Sequence, residues 1–207
     1  MVTTTTKDRI LSAAMQLVAE KGYIGATTRE ISRDAGVTEL TLFRHFGSKE
    51  RLFEAVLERS TFLPKLKEMM PDLDGMPYDE ALRTLGRGFL LSLKARKPMV
   101  KIMQAEMCRY PEKMKRMSGA FFDEMLGTLA AYFTTLQRRK ELRSFPPELA
   151  ARMFLGMLFS YFRTEELMRG VDITRQGRMD RAIEGFVDIF VHGTLAARNG
   201  SGKRRQA

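Results

Sequence analysis

Residues 27–49, TTREISRDAGVTELTLFRHFGSK, decide the fold of this chain. They predict two short helices, over about 28–35 and 38–46, joined by a tight turn at Gly36. Glycine tolerates the left-handed backbone that a helix end often needs. Thr27 and Glu30, three residues apart, make a capping-box pattern that marks the start of the first helix. Ile31, Ala35, Val37, Leu42 and Phe46 are spaced to meet in one small core. That spacing leaves Thr38, Glu39, Leu40, Thr41 and Arg44 on the outside of the second helix. A short helix with a polar outer face, braced by a helix before it, is the layout of a helix-turn-helix DNA reader.

The runs Gly36-Val37-Thr38, Leu42-Phe43-Arg44-His45-Phe46, Ser48-Lys49-Glu50 and Leu52-Phe53 resemble the N-terminal signature of the TetR family of bacterial transcriptional regulators. Thr27-Thr28 with Ile31, and upstream Ile10-Ala13-Ala14-Leu17 and Gly22-Tyr23, fit the same pattern. The likeness covers roughly the first quarter of the chain. Beyond about residue 63 it is architectural, an all-helical domain of the expected size. The resemblance implies a homodimeric repressor on a palindromic operator of double-stranded DNA, with a small-molecule effector site in the C-terminal domain. An effector-independent DNA-binding organiser or activator is the alternative.

The chain has 207 residues, enough to bury a substantial core in one or two domains, and 44% of them are hydrophobic. Its net charge of +10 favours a polyanionic partner. Residues 1–50 nevertheless hold seven basic and six acidic side chains, so a positive face on the reader must come from placement. Most of the excess lies after residue 60, either as a solvated surface or as an attractor for an acidic ligand. Cys108 is the only cysteine, which excludes an intrachain disulfide and suits a reducing compartment. No apolar signal segment opens the chain, and the longest near-apolar run, 153–162, is too short for a bilayer that takes about 20 residues. A cytoplasmic location with no membrane contact is expected.

No strand-like alternation appears, so the expected fold is all-α: a three-helix reader followed by a helical domain. A first helix should run from residue 5 or 6 to Gly22, and a fourth from Ser48 to about 63. Pro64, Pro71, Asp74-Gly75 and Pro77 predict a hinge with one short helical turn. Helices over 79–95, 98–110 and 112–142 should follow, the last with a break at Ser118-Gly119. Pro146-Pro147 opens another that closes at Gly170, and Thr174 caps the final one to about 198. The expected units are 1–48 for the reader, 49–63 as a connecting helix, 64–200 for effector binding and dimerisation, and 201–207 as a basic tail.

A duplex reader needs phosphate anchors and side chains that reach base edges. Thr27 and Thr28 at a helix start, Arg29, His45 and Lys49 suit the first role. Arg33 reads as a surface residue. Thr38, Glu39, Leu40, Thr41 and Arg44 suit the second: Arg44 for guanine or a phosphate, Glu39 for a cytosine amine, Leu40 and Thr41 for a thymine methyl. Leu40 has a second reading, as a core contact. The resemblance implies a tyrosine hydroxyl on a phosphate at position 43, and Phe43 lacks it. His45 and His192 are the only histidines, in no metal-ligand spacing, and no glycine-rich phosphate loop follows a strand, so neither metal nor cofactor nor catalysis is expected.

Fifteen methionines leave two readings for the central helices. Phe89, Met103, Met107, Phe121, Phe122, Met125, Phe154 and Met157 either line an adaptable apolar pocket or fill an ordinary core. The last two helices are apolar over much of their circumference. Phe154, Leu158, Tyr161, Ile183, Phe186, Val187, Phe190 and Val191 are the expected contacts of a two-fold four-helix interface, unless they pack within one chain.

Overall fold

The computed structural model describes residues 5–195. Among them the fold is all-α, with ten α-helices: α1 (Thr6–Gly25), α2 (Thr28–Asp34), α3 (Glu39–Phe46), α4 (Lys49–Ser60), α5 (Leu63–Leu73), α6 (Tyr78–Ala95), α7 (Lys97–Arg109), α8 (Pro111–Arg138), α9 (Pro147–Phe162) and α10 (Arg178–Thr194). The tail at 201–207 and the expected end of the last helix at 198 lie outside the described residues.

Several boundaries differ from expectation, each for a local reason. The stretch after residue 63 is a helix, not a hinge. Pro64 stands in the first turn of α5, where a missing N–H leaves no bond unmade, and Pro71 comes only two residues before the end. Leu63, Leu66 and Leu73 bury against the core and hold that helix in place. α4 therefore stops at Ser60. α8 passes through Ser118-Gly119 unbroken: the Ser118 hydroxyl donates to the Met114 carbonyl at 2.7 Å, and Met114, Met117 and Ser118 are all buried. α9 runs on as a π-helical turn, Arg163–Met168, before Gly170 ends it with φ 69°. α10 starts at Arg178, not Thr174, because Gln176 and Gly177 take left-handed backbone (φ 57° and 64°) that interrupts any helix through them.

Two apolar cores organise the molecule. The larger is built from α5, α6, α8, α9 and α10, with Leu82, Leu85, Leu90, Phe133, Phe154 and Phe162 essentially inaccessible. The smaller gathers α1 to α4 around Ile10, Ile31, Leu42 and Leu52. It also takes in Met99 of α7 and Met114 and Met117 of α8. The domain boundary expected near residue 63 is thus crossed by α7 and the first half of α8, which close the core of the reader.

A buried carboxylate braces the far end of α7. Glu166 in the π-helical turn is 3% exposed and accepts from Lys97 at 2.5 Å, Lys94 at 3.2 Å and the Ile173 amide at 3.0 Å. Burial pushes this carboxyl up, but the bonds from Lys97, the Ile173 N–H and Lys94 outweigh it and hold the net value below the usual range.

Candidate nucleic-acid interface

The reading head is set by its caps. The Thr27 hydroxyl accepts from the Glu30 amide at 3.2 Å, while the Glu30 carboxylate takes the Thr27 amide at 3.3 Å and hydroxyl at 2.9 Å. Lys21 adds an ion pair to Glu30 at 2.7 Å. These bonds, Lys21 first, hold the Glu30 carboxyl down at about 2. At α3 the Thr38 hydroxyl accepts from the Thr41 amide at 3.2 Å and lies 3.0 Å from the Thr41 hydroxyl. Gly36 and Gly47, with φ of 64° and 76°, make the turns on either side of α3.

The periodicity of α3 then sorts its side chains. Leu42 and Phe46 are buried in the smaller core with Ile31 and Ala35, while Val37 is half-buried. On the other side Leu40 is 73% exposed and Phe43 39%, with Arg44 and His45 fully on the surface. The core reading of Leu40 is therefore excluded. Leu40 and Arg44 are four residues apart and share one face. Arg44 and Arg29 are exposed and make no ion pair among the described residues, whereas Arg33 is paired with Asp34 at 3.0 Å. The Thr28 hydroxyl donates to Glu39 at 3.3 Å, tying the start of α2 to the start of α3.

Lys49 is less free than its place at the start of α4 suggests. Its Nζ donates to the Ile24 carbonyl at 3.3 Å and stands 4.7 Å from the centre of the Tyr23 ring. The same ring carries Lys113 of α8 at 4.3 Å. The Tyr23 hydroxyl donates to Glu50 at 2.7 Å, and Lys113 approaches the same oxygen at 3.7 Å. Burial, then the charge of Lys113, lowers the Lys49 ammonium below its ordinary value. The sequence marks Tyr23 and Glu50 only as parts of the family pattern and does not single out Lys113 at all. Nothing local marks Lys113, whose partners lie some 60 to 90 residues away.

The family is decided by comparison with known proteins. The model of the bacterial regulatory proteins of the tetR family matches residues 10–56, and that of the AefR-like transcriptional repressor C-terminal domain matches residues 80–193. The chain belongs to the TetR family. An uncharacterized HTH-type transcriptional regulator, YvkB of Bacillus subtilis, is 31% identical over 191 residues, covering 92% of this chain and 98% of YvkB. The HTH-type transcriptional repressor BepR of Brucella suis is 28% identical over 198 residues, covering 91% of this chain and 87% of BepR. A crystal structure of a TetR-family regulator from Mesorhizobium loti shares the fold, with a TM-score of 0.78 at 24% identity, covering 92% of this chain and 97% of that one. This TetR-family chain is a DNA-binding transcriptional regulator and not an enzyme. No helix among its described residues is long and apolar enough to cross a membrane.

The structure distributes two further sets of expected site residues. The eight expected pocket residues are divided between the two cores and the surface. Phe89, Met125 and Phe154 are buried in the larger core with Met157 packed against it, Met103 and Phe121 pack on the smaller core, and Met107 and Phe122 are 40% and 45% exposed. Two hollows in the molecule touch none of them. One holds about 10 Å³ inside the reading head, and the other is a solvent-open groove of about 440 Å³ between α5 and α6. Of the expected dimer contacts, Phe154, Leu158, Ile183, Val187 and Phe190 are buried in their own chain, where α9 and α10 pack on α6 and α8. Tyr161, Phe186 and Val191 are half-buried.

Proposed function

We propose that this TetR-family protein is a homodimeric repressor that reads a palindromic operator through α3. The carrying observation is the division of that helix, with Leu42 and Phe46 locked in the core and Leu40, Phe43 and Arg44 projecting. Arg44 takes a guanine or a phosphate, and the Leu40 side chain and Thr41 methyl meet thymine methyls. The bond between Thr28 and Glu39 leaves Glu39 as a positioning group as much as a reader of cytosine. Thr27, Thr28, Arg29, His45 and Lys49 flank this face as backbone contacts.

Support for the dimer comes from the outer faces of α9 and α10. Leu149 and Met153 are each 53% exposed and Ile189 is 67% exposed. Gly156, Gly185 and Gly193 lie on the same two helices, and a side chain added at any of them would meet nothing. Apolar side chains beside uncovered glycines are what two closely packed copies require. The two reading heads would then lie about 34–36 Å apart, or a multiple of that, to enter successive turns of the major groove. A small, largely apolar effector that favours another tilt of α4 would release the operator by population shift in this cytoplasmic regulator. The solvent-open form of the larger hollow favours a second reading, an effector-independent DNA-binding organiser or activator.

The test is a selection of bound sites from genomic fragments, repeated with Arg44→Ala and Thr41→Ala. Each lost base contact should relax discrimination by about 1–3 kcal/mol at its own position. Variants that select the same sites with undiminished preference would remove α3 as the reader.

A further inference from the structure

Lys49 and Lys113 share one tyrosine ring. Both ammoniums lie within 5 Å of the Tyr23 ring centre, so they are at most about 9 Å apart. The carboxylate in reach of Lys113, Glu50 at 3.7 Å, already accepts the Tyr23 hydroxyl, while Lys49 feels Glu50, Glu106 and Glu30 without a direct ion pair among the described residues. Lys115 and Arg116, on the same first turns of α8, are exposed and also unpaired among the described residues, as is Arg109 at the adjoining end of α7. Part of the positive excess beyond residue 60 thus lies around the turn between α7 and α8, where the C-terminal domain meets the reading head.

Lys49 links this corner to the reading face. The Ile24 carbonyl that holds Lys49 leads within three residues to Thr27, the cap of α2, and Thr28 joins the start of α3 through Glu39. One strand of duplex carries a phosphate about every 3.4 Å along the axis. Two cations within about 9 Å can therefore share one phosphodiester or hold two neighbours. We propose that Lys113, carried by the C-terminal domain, joins Lys49 as a second anchor for the DNA backbone. The duplex is then held by both domains at once, and its grip depends on α8 staying against the head. This rests on the reading of the protein as a DNA binder, and adds a contact outside the helix-turn-helix.

Phosphate contacts ignore sequence, so a mixed-sequence 30-base-pair duplex serves as probe. Binding of the full-length protein is followed by fluorescence anisotropy between about 50 and 200 mM salt. Lys113→Met keeps the apolar stem on Tyr23 and removes the charge, with Lys113→Gln as a second neutral variant and melting checked for both. Each lost phosphate contact flattens the plot of log K against log salt by about 0.9 per protomer engaged. The expected result is that flattening in both neutral variants, the same loss in Lys49→Met, and a wild-type slope in Lys113→Arg. A wild-type slope in folded Lys113→Met and Lys113→Gln, while Lys49→Met flattens, overturns the inference and leaves Lys113 as domain packing. Failure of the wild-type protein to bind the duplex at all sinks the DNA-binding reading instead.

Discussion

Gly22 offers a sharp test of how α7 meets the reading head. It interrupts α1 with φ 74° and ψ 175°, a backbone region that is essentially restricted to glycine. A Cβ placed there would lie 2.5 Å from Oε1 and 3.4 Å from Cδ of Glu106 on α7. Glu106 is 8% exposed, and its Oε2 has no hydrogen-bond partner. Gly22→Ala therefore carries two separable costs. The backbone strain amounts to about 1–3 kcal/mol. Displacing a packed side chain adds about 1–3 kcal/mol more. In a chain of this size each kcal/mol lowers Tm by about 2–4 °C. Glu106→Ala removes the obstacle but not the strain, so Gly22→Ala should cost roughly half as much in that background. Urea unfolding and Tm of the four proteins, at one fixed protein concentration so that self-association affects all alike, give the coupling directly. If Gly22→Ala costs the same in both backgrounds, within about 0.5 kcal/mol, then Glu106 does not fill the space beside Gly22 and the reasoning fails.

Thr27→Ala should destabilise the head by about 1 kcal/mol through loss of the α2 cap, read as a lower urea midpoint. Because the folded Glu30 carboxyl sits at about 2, below its ordinary value, its contribution is fully present above that ordinary value and disappears as pH falls toward 2; acid unfolding of Thr27→Ala and Lys21→Met should show a weaker dependence in that window. Glu166→Gln strips the charge that Lys94 and Lys97 share. Those side chains are 28% and 30% exposed, so solvent softens the loss to about 1–3 kcal/mol, and an unchanged thermal midpoint would contradict the network. Met153→Glu with Ile189→Glu places charges on the exposed faces of α9 and α10 and should give a folded monomer in sedimentation equilibrium; a persistent dimer would put the interface elsewhere.

The reading head was legible because its signals are local. The Thr27–Glu30 box, Gly36, the Thr38 cap and the spacing of Ile31, Leu42 and Phe46 all act within a few residues of one another, and each has its expected place. Proline was misread at position 64 because the residue opens a helix as readily as it ends one, and the apolar stripe that chooses between them, Leu63, Leu66 and Leu73, finds its partners on distant helices. The apolar residues of α9 and α10 could be counted from sequence, but not divided between an internal core and an outer face. That division depends on where α6 and α8 lie, and it buried Phe154 and Phe190 while leaving Met153 and Ile189 outside. The Tyr23–Lys113 contact was invisible for the same reason: it is a product of tertiary approach and leaves no periodic trace.

The shared smaller core changes what the two matched regions mean physically. Residues 10–56 carry the reader, yet Met99, Met114 and Met117, which help close its core, belong to the segment matched by the C-terminal model. Met114 is inaccessible and Met117 is 5% exposed, so α8 cannot lift from the head without uncovering apolar surface of both. The cation–π contact at the same seam, Lys113 on Tyr23, is directional and tolerates less displacement than the methionines do. A small shift of α7 and α8 would therefore alter the polar seam first and leave the apolar one intact. If DNA engages Lys113 as proposed above, whatever biases the position of these helices would change that grip, and bound DNA would by reciprocity bias the helices in return. A junction shared by both domains would then carry such coupling, and α4 alone need not.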